Sequence, residues 1–219
     1  MTVYAGDMID ELRDYLDDAT DTDISFATKL RYLNRGQAAM YPKVFVTARD
    51  STLTYDYEIY EYTIPAAVAS GKILLVELES TSTSSRYIRL NEYEIVPASA
   101  NASSAPLLVF SRSRDAQDNG SIRITSANPL TPFVAANYAA SQAEVYTGPA
   151  YTMELPVFFA MSQIMARVLD KRMDFGRFSV QNQNATANPI DIMSASQYWM
   201  DRYDKMLEQM QMPLPSSGI

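Results

Sequence analysis

The stretch Ser25-Phe26-Ala27-Thr28-Lys29-Leu30-Arg31-Tyr32-Leu33-Asn34-Arg35-Gly36-Gln37-Ala38-Ala39-Met40-Tyr41-Pro42 decides the fold class. Phe26, Leu30, Leu33, Gln37 and Met40 recur at three- and four-residue steps, with Tyr41 beside them, so they share one side of a helix. Asp23 or Ser25 is placed to cap its start. Pro42 ends it, because the residue before a proline avoids the helical region. Beyond Pro42 the period falls to two. Leu53, Tyr55, Tyr57 and Ile59 alternate, and Tyr60, Tyr62 and Ile64 then alternate in the opposite phase. A bulge or turn within 56–60 accounts for that change of phase. Helical spacing that gives way to strand spacing at one proline predicts an α+β chain.

Towards the N-terminus a first helix is predicted from Met8, Ile9, Leu12, Tyr15 and Leu16, with Asp7 as its cap. Towards the C-terminus the strand signals continue through Ile73–Leu78, Tyr87–Arg89, Leu107–Phe110 and Ser121–Thr125, with Asn119-Gly120 as a turn. Residues 91–95 read as one helical turn before Pro97, and Phe133–Val145 as a last strand or two. Helical spacing returns with Pro156, Phe158, Met161, Ile164, Met165, Val168 and Leu169. After a Gln/Asn-rich stretch, Asn188-Pro189 opens a last helix with Ile192, Trp199, Tyr203, Met206, Leu207 and Met210 on its apolar side. Pro213 and Pro215 rule out helix in the tail. The simplest architecture is a four-helix bundle of residues 1–42 and 153–211, with an inserted antiparallel β module, a small sandwich or barrel, at 43–152. Residues 212–219 form an extended arm.

Composition narrows the function. The 219 residues contain no cysteine and no histidine. Disulfides, thiolate metal sites, Cys nucleophiles and Ser-His-Asp triads are therefore excluded. No apolar run approaches the ~20 residues of a membrane span, and the opening residues do not read as a secretory leader. Net charge is −8, and Asp7, Asp10, Glu11, Asp14, Asp17, Asp18, Asp21 and Asp23 face only Arg13 in the first 23 residues. No basic face for general nucleic-acid binding is evident. An acidic surface beside DNA suits a chain past which DNA slides without sticking.

The chemical motifs fail on spacing. A calcium loop starting at Asp17 or Asp21 would need glutamate at its twelfth position, where Thr28 and Tyr32 stand. Gly71-Lys72 lacks both the upstream glycine and the following Ser/Thr of a phosphate loop, since Ala66 and Ile73 occupy those places. Asp56, Glu58, Glu61, Glu77 and Glu79 alternate with apolar residues and read as a solvated strand face rather than a glycosidase pair. Asn34 lies near the apolar side of its helix and reads as an amide bonding a neighbouring helix or backbone group. The fifteen tyrosines suit a subunit interface as well as a stacking surface for sugars or bases. The methionines concentrate in the helices as core. No cofactor, metal or catalytic group is expected, and the chain is expected not to be an enzyme.

Four segments in order carry a resemblance. They are the acidic opening Met8–Asp18; the helix Ile24–Gln37 with its Leu33-Asn34 pair; Tyr62-Thr63-Ile64-Pro65 followed by the strand Ile73–Leu78; and Glu154-Leu155-Pro156, opening a helix that ends Lys171-Arg172-Met173-Asp174-Phe175. Together they resemble the head–tail adaptor (connector) proteins of tailed bacteriophages. The Gln/Asn-rich stretch after Phe175 is longer than the family's short turn.

The resemblance implies a ring of about twelve copies in the virion neck, assembled in the host cytoplasm, bound below a portal protein, extending the DNA channel and docking a tail or stopper protein. It implies portal or subunit contacts through Met212, Pro213, Leu214, Pro215 and Ile219. Asp7, Asp10, Glu11, Asp14, Asp17 and Asp18 would face the channel, where genomic DNA passes without specific binding. Arg112, Arg114, Asp115, Asp118 and Asn119 form a candidate docking loop, for which sequence does not choose between portal, tail and no partner. The alternatives are another virion part (stopper, tail terminator or baseplate component) and, behind these, a carbohydrate-binding β module.

Overall fold

The computed structural model describes residues 2–80, 86–100, 105–110, 120–176 and 189–210, with backbone alone for the helical residues within 169–192. The elements run α1 (Ala5–Leu16), α2 (Phe26–Met40), β1 (Val46–Thr54), β2 (Glu61–Thr63), α3 (Ala66–Ala69), β3 (Lys72–Glu79), β4 (Tyr87–Arg89), β5 (Tyr93–Val96), β6 (Leu107–Phe110), β7 (Ser121–Asn128), α4 (Tyr138–Ser141), α5 (Glu154–Gly176) and α6 (Pro189–Glu208). The class is α+β. The chain divides into two compact units, one of Met1–Val44 with Leu130–Met212 and one containing Phe45–Pro129.

In the first unit α5 is the shared partner of α1, α2 and α6. Met8, Ile9 and Leu12 from α1, Leu33 and Met40 from α2, and Leu155, Met161 and Ile164 from α5 are all fully buried. Each such side chain contributes about 1.5–3 kcal/mol relative to exposure. Gly36 sets the approach of α2 to α5. A Cβ there would sit 2.8 Å from Pro156 Cα and 3.2 Å from Phe159 Cβ, so only glycine lets the backbones come this close. Trp199 of α6 packs on Phe158 at 5.6 Å and on Tyr15 of α1 at 4.8 Å between ring centres, and Tyr203 packs on Phe159. Among the described residues no helix is long and apolar enough to cross a membrane.

The second unit holds two antiparallel sheets, ordered β1-β7-β3-β4 and β2-β6-β5. Tyr62, Leu108 and Phe110 from the smaller sheet share one core with Val76, Leu78, Ile122 and Ile124 from the larger. The expected turn at 56–60 lies between β1 and β2, and the phenol of Tyr62 closes it by accepting from Asp56 N and donating to Asp56 O.

Four expectations are corrected. Residues 91–95 do not form a helical turn: Tyr93–Val96 pair in register with Leu107–Phe110 as β5, because Tyr93 and Ile95 pack against the sheet core. Phe133–Val145 supplies no strand beyond a single bridge, Tyr4 to Val145. Side chains there take the backbone donors that a ladder would use. Glu144 accepts from Val134 N at 2.6 Å and Ala135 N at 2.8 Å, and Asn137 accepts from Ala140 N to open α4. Residues 130–152 accordingly lie in the helical unit and not in the β unit. Asp7 does not precede α1 but stands inside its first turn, where its carboxylate accepts the Tyr4 N–H at 2.8 Å.

Candidate functional site

The acidic opening of the chain is a built corner, not a uniform charged face. α1 ends at Asp17 in the left-handed conformation, φ 50°, and Asp21 repeats it at φ 56°. The tight loop between α1 and α2 that results is organised around Asp18. Its Oδ1 accepts from Thr22 N at 2.9 Å and its Oδ2 from Ile24 N at 3.0 Å. Lys29 then reaches in from α2, its Nζ 2.9 Å from Asp18 Oδ2 and 2.7 Å from Asp21 Oδ1, with the side chains of Lys29 and Asp18 0% and 1% exposed. On the far side Arg13 grips Asp21 with two N–H groups, at 2.6 and 3.1 Å. Its guanidinium also lies 3.8 Å from the ring centre of Tyr138, whose hydroxyl donates to Asp10 at 2.8 Å. One polar chain therefore joins α1, the loop, α2 and α4.

Charge follows from this geometry. Burial opposes ionisation of Asp18, but the Lys29 ammonium and the loop N–H groups of Ile24, Asp23 and Thr22 outweigh it and hold the carboxyl far below the usual range. Arg13 holds Asp21 down, against burial and with help from Lys29. The hydrogen bond to Asp10 raises the Tyr138 phenol, as the bond to Asp21 raises Arg13. Burial raises Glu11, which also accepts from the Tyr15 hydroxyl.

The six acids expected to face a channel therefore separate. Asp18 is internal, which corrects its assignment: it neutralises a buried lysine and ties down loop N–H groups. Asp10 stays half-exposed while bonded to Arg13 and Tyr138. Asp7, Asp14 and Asp17 are exposed, and Glu11 is intermediate. Asn34 donates to Phe133 O and accepts from Phe133 N, both at 2.8 Å, so its amide bonds a distant backbone segment as two paired strand residues would. The docking-loop residues Arg112, Arg114, Asp115, Asp118 and Asn119 lie outside the described residues, as do the tail residues Met212, Pro213, Leu214, Pro215 and Ile219. Among the described residues no group of three or more carboxylates is placed to hold a metal ion.

A second surface went unnoticed in the sequence. The outer side of α2 forms an open groove of about 430 Å³, with Phe26, Ala27, Leu30, Ala38, Ala135 and Ala136 as its apolar lining and Asn34, Arg31 and Arg35 completing it. Both arginines are exposed, with their guanidinium carbons 5.1 and 5.5 Å from the ring centre of Tyr32. A signal was present. Residues 24–44 contain Lys29, Arg31, Arg35 and Lys43 and no acid, directly after the acidic run. Lys29 is spent on Asp18 and Asp21, and Lys43 donates to the Leu207 carbonyl at 3.2 Å. Among the described residues Arg31 and Arg35 carry no ion pair.

Neither the protein-family models nor the curated proteins give a match to the chain. Among solved structures there is a weak likeness, at 16% identity and a TM-score of 0.30, to a chain of the "Neck of native GTA particle computed with C12 symmetry", covering 91% of this chain and 94% of that one.

Proposed function

We propose that the chain is a non-catalytic structural subunit of the head–tail adaptor type. It assembles as a ring of about twelve copies in the virion neck, binds below a portal protein and docks the next tail component. The observation that carries this reading is the layout. Met1–Val44 joins Leu130–Met212 in one unit while Phe45–Pro129 forms another. A β unit inserted between the halves of a helical unit matches the layout that the order of helical and strand spacing predicts, and in this reading α1, α2, α5 and α6 are its four helices. The acidic balance supports a channel that DNA passes without specific binding. In this reading the tail from Met212 is the arm that grips the portal, its prolines lowering the ordering cost.

Native mass measurement of the purified chain, alone and with a portal protein, tests the ring. A particle of about twelve chains, formed alone or only on the portal, is the expected result. A chain that stays monomeric in both settings, or a monomer that binds glycans, would overturn it. Truncation before Met212 should abolish portal attachment and leave the thermal melt unchanged. Undiminished attachment removes the arm from the proposal.

A further inference from the structure

We infer that the α2 groove is one half of a head-to-tail contact between copies of this chain, and that the outward acidic face of α1 on a neighbouring copy is the other half. This deepens the ring reading and rests on it. The groove offers an apolar floor with two arginines one helical turn apart at its edge. A complementary surface needs two acids at a similar spacing beside an apolar group. The chain carries one: Asp14 and Asp17 are exposed, three residues apart at the end of α1, and Tyr15 between them is 43% exposed.

The accounting of charges within the protomer makes the match specific. Apart from Asp23, which is exposed in the loop between the two helices, the other charged side chains of the α1–α2 corner are engaged internally or in their own helix. Arg13 binds Asp10 and Asp21, Lys29 binds Asp18 and Asp21, Asp7 accepts from Tyr4, and Glu11 accepts from Tyr15. Among the described residues Asp14 and Asp17 have no cation, and Arg31 and Arg35 have no carboxylate. The two pairs lie on consecutive helices of one unit, and neither neutralises the other. Two different surfaces that complement each other on identical chains make a heterologous contact, the kind that propagates and closes into a ring. Opposite charges at the edge of an apolar contact fix its register and suppress wrong pairings.

The test is a charge exchange followed by native mass measurement, alone and on the portal. Arg31→Glu with Arg35→Glu should weaken self-association about tenfold or more, and so should Asp14→Lys with Asp17→Lys, while thermal melts confirm that each exposed pair leaves the fold intact. Arg31→Gln with Arg35→Gln is the milder control and should lie between. The chain carrying all four reversals should assemble again, as should a mixture of the two double variants. If wild type assembles and the arginine reversal assembles equally well, the groove proposal fails and the ring reading stands. If both double variants fail but the fourfold exchange does not restore assembly, α1 is not the occupant and the proposal is overturned. A wild type that never assembles overturns both.

Discussion

Lys29 and Asp18 meet at 2.9 Å with neither side chain more than 1% exposed. Removing Lys29 strands the buried Asp18 carboxylate, at a cost of about 3–5 kcal/mol, whereas neutralising Asp18 leaves Lys29 paired with Asp21 alone at 2.7 Å. Lys29→Met or Asp18→Asn should each lower the urea midpoint strongly. The double variant should be less damaged than the sum of the two, because no unpaired charge remains. Asp18→Asn carries the added loss of charge-assisted bonds to the loop N–H groups, so its penalty should persist in part. Additive losses in the double-mutant cycle would show that the pair is not coupled as described.

Acid should loosen the same corner. Asp18 and Asp21 are both held below the ordinary aspartate value. In the unfolded chain they take up protons near pH ~3.9, whereas in the folded chain they resist until the pH is lower. The unfolded state therefore binds more protons in that window, and stability rises with pH across it. The stabilisation from these two groups is present above about pH 4 and is lost as pH falls through their folded values. Denaturant titrations from pH 6 to pH 2 should show the decline, and the Asp18→Asn chain should show a shallower one.

Asn34 spans 99 positions of sequence to pair with both backbone groups of Phe133. Asn34→Ala removes two hydrogen bonds and leaves a part-buried N–H and C=O behind. The expected cost is about 1–3 kcal/mol. Asn34→Asp keeps the acceptor for Phe133 N but sets a carboxylate against Phe133 O, so it should be at least as harmful at neutral pH and recover in acid. Thermal melts at pH 7 and pH 4 distinguish the two.

Gln37 is 2% exposed, and neither amide atom has a partner among the described residues. A buried amide without hydrogen bonds is costly, and an apolar residue of similar shape removes that cost. Gln37→Met should match or exceed wild-type stability by denaturant melt. A loss of more than about 1 kcal/mol would mean that the amide is satisfied in solution.

The features legible in the sequence were those that depend on neighbours within a few residues. The 3.6-residue spacing of Leu30, Leu33 and Met40, or of Phe158, Met161 and Ile164, needs only one apolar partner to become a helix, and α2 and α5 lie where that spacing places them. The strand signals at Tyr62 and at Ile73–Leu78 worked for the same reason, since β2 and β3 form there, while the short helix α3 between them gave no signal. Lys29 did not show itself, because a lysine is ordinarily solvated and its burial depends on a loop carboxylate eleven residues away. Residues 130–152 were misassigned because Glu144, Asn137 and Asn34 fix that backbone through side-chain bonds, which leave no period. The acids of α1 looked uniform in sequence. Only the position of each relative to Arg13, Lys29 and Tyr138 separates those that hold the corner together from those that face outward.

The division of the chain has a bearing on biosynthesis. Residues 45–129 are contiguous, so the β unit can complete its core while the ribosome is still making the C-terminal helices. α1 and α2 emerge first yet cannot bury Met8, Leu12 or Leu33 until α5 appears more than a hundred residues later. Closure of that long loop is entropically costly and slow. The helical unit therefore cannot be completed before α5 is made, whereas the contacts of the Lys29–Asp18–Asp21–Arg13 corner all lie within residues 13–29 and need nothing made later.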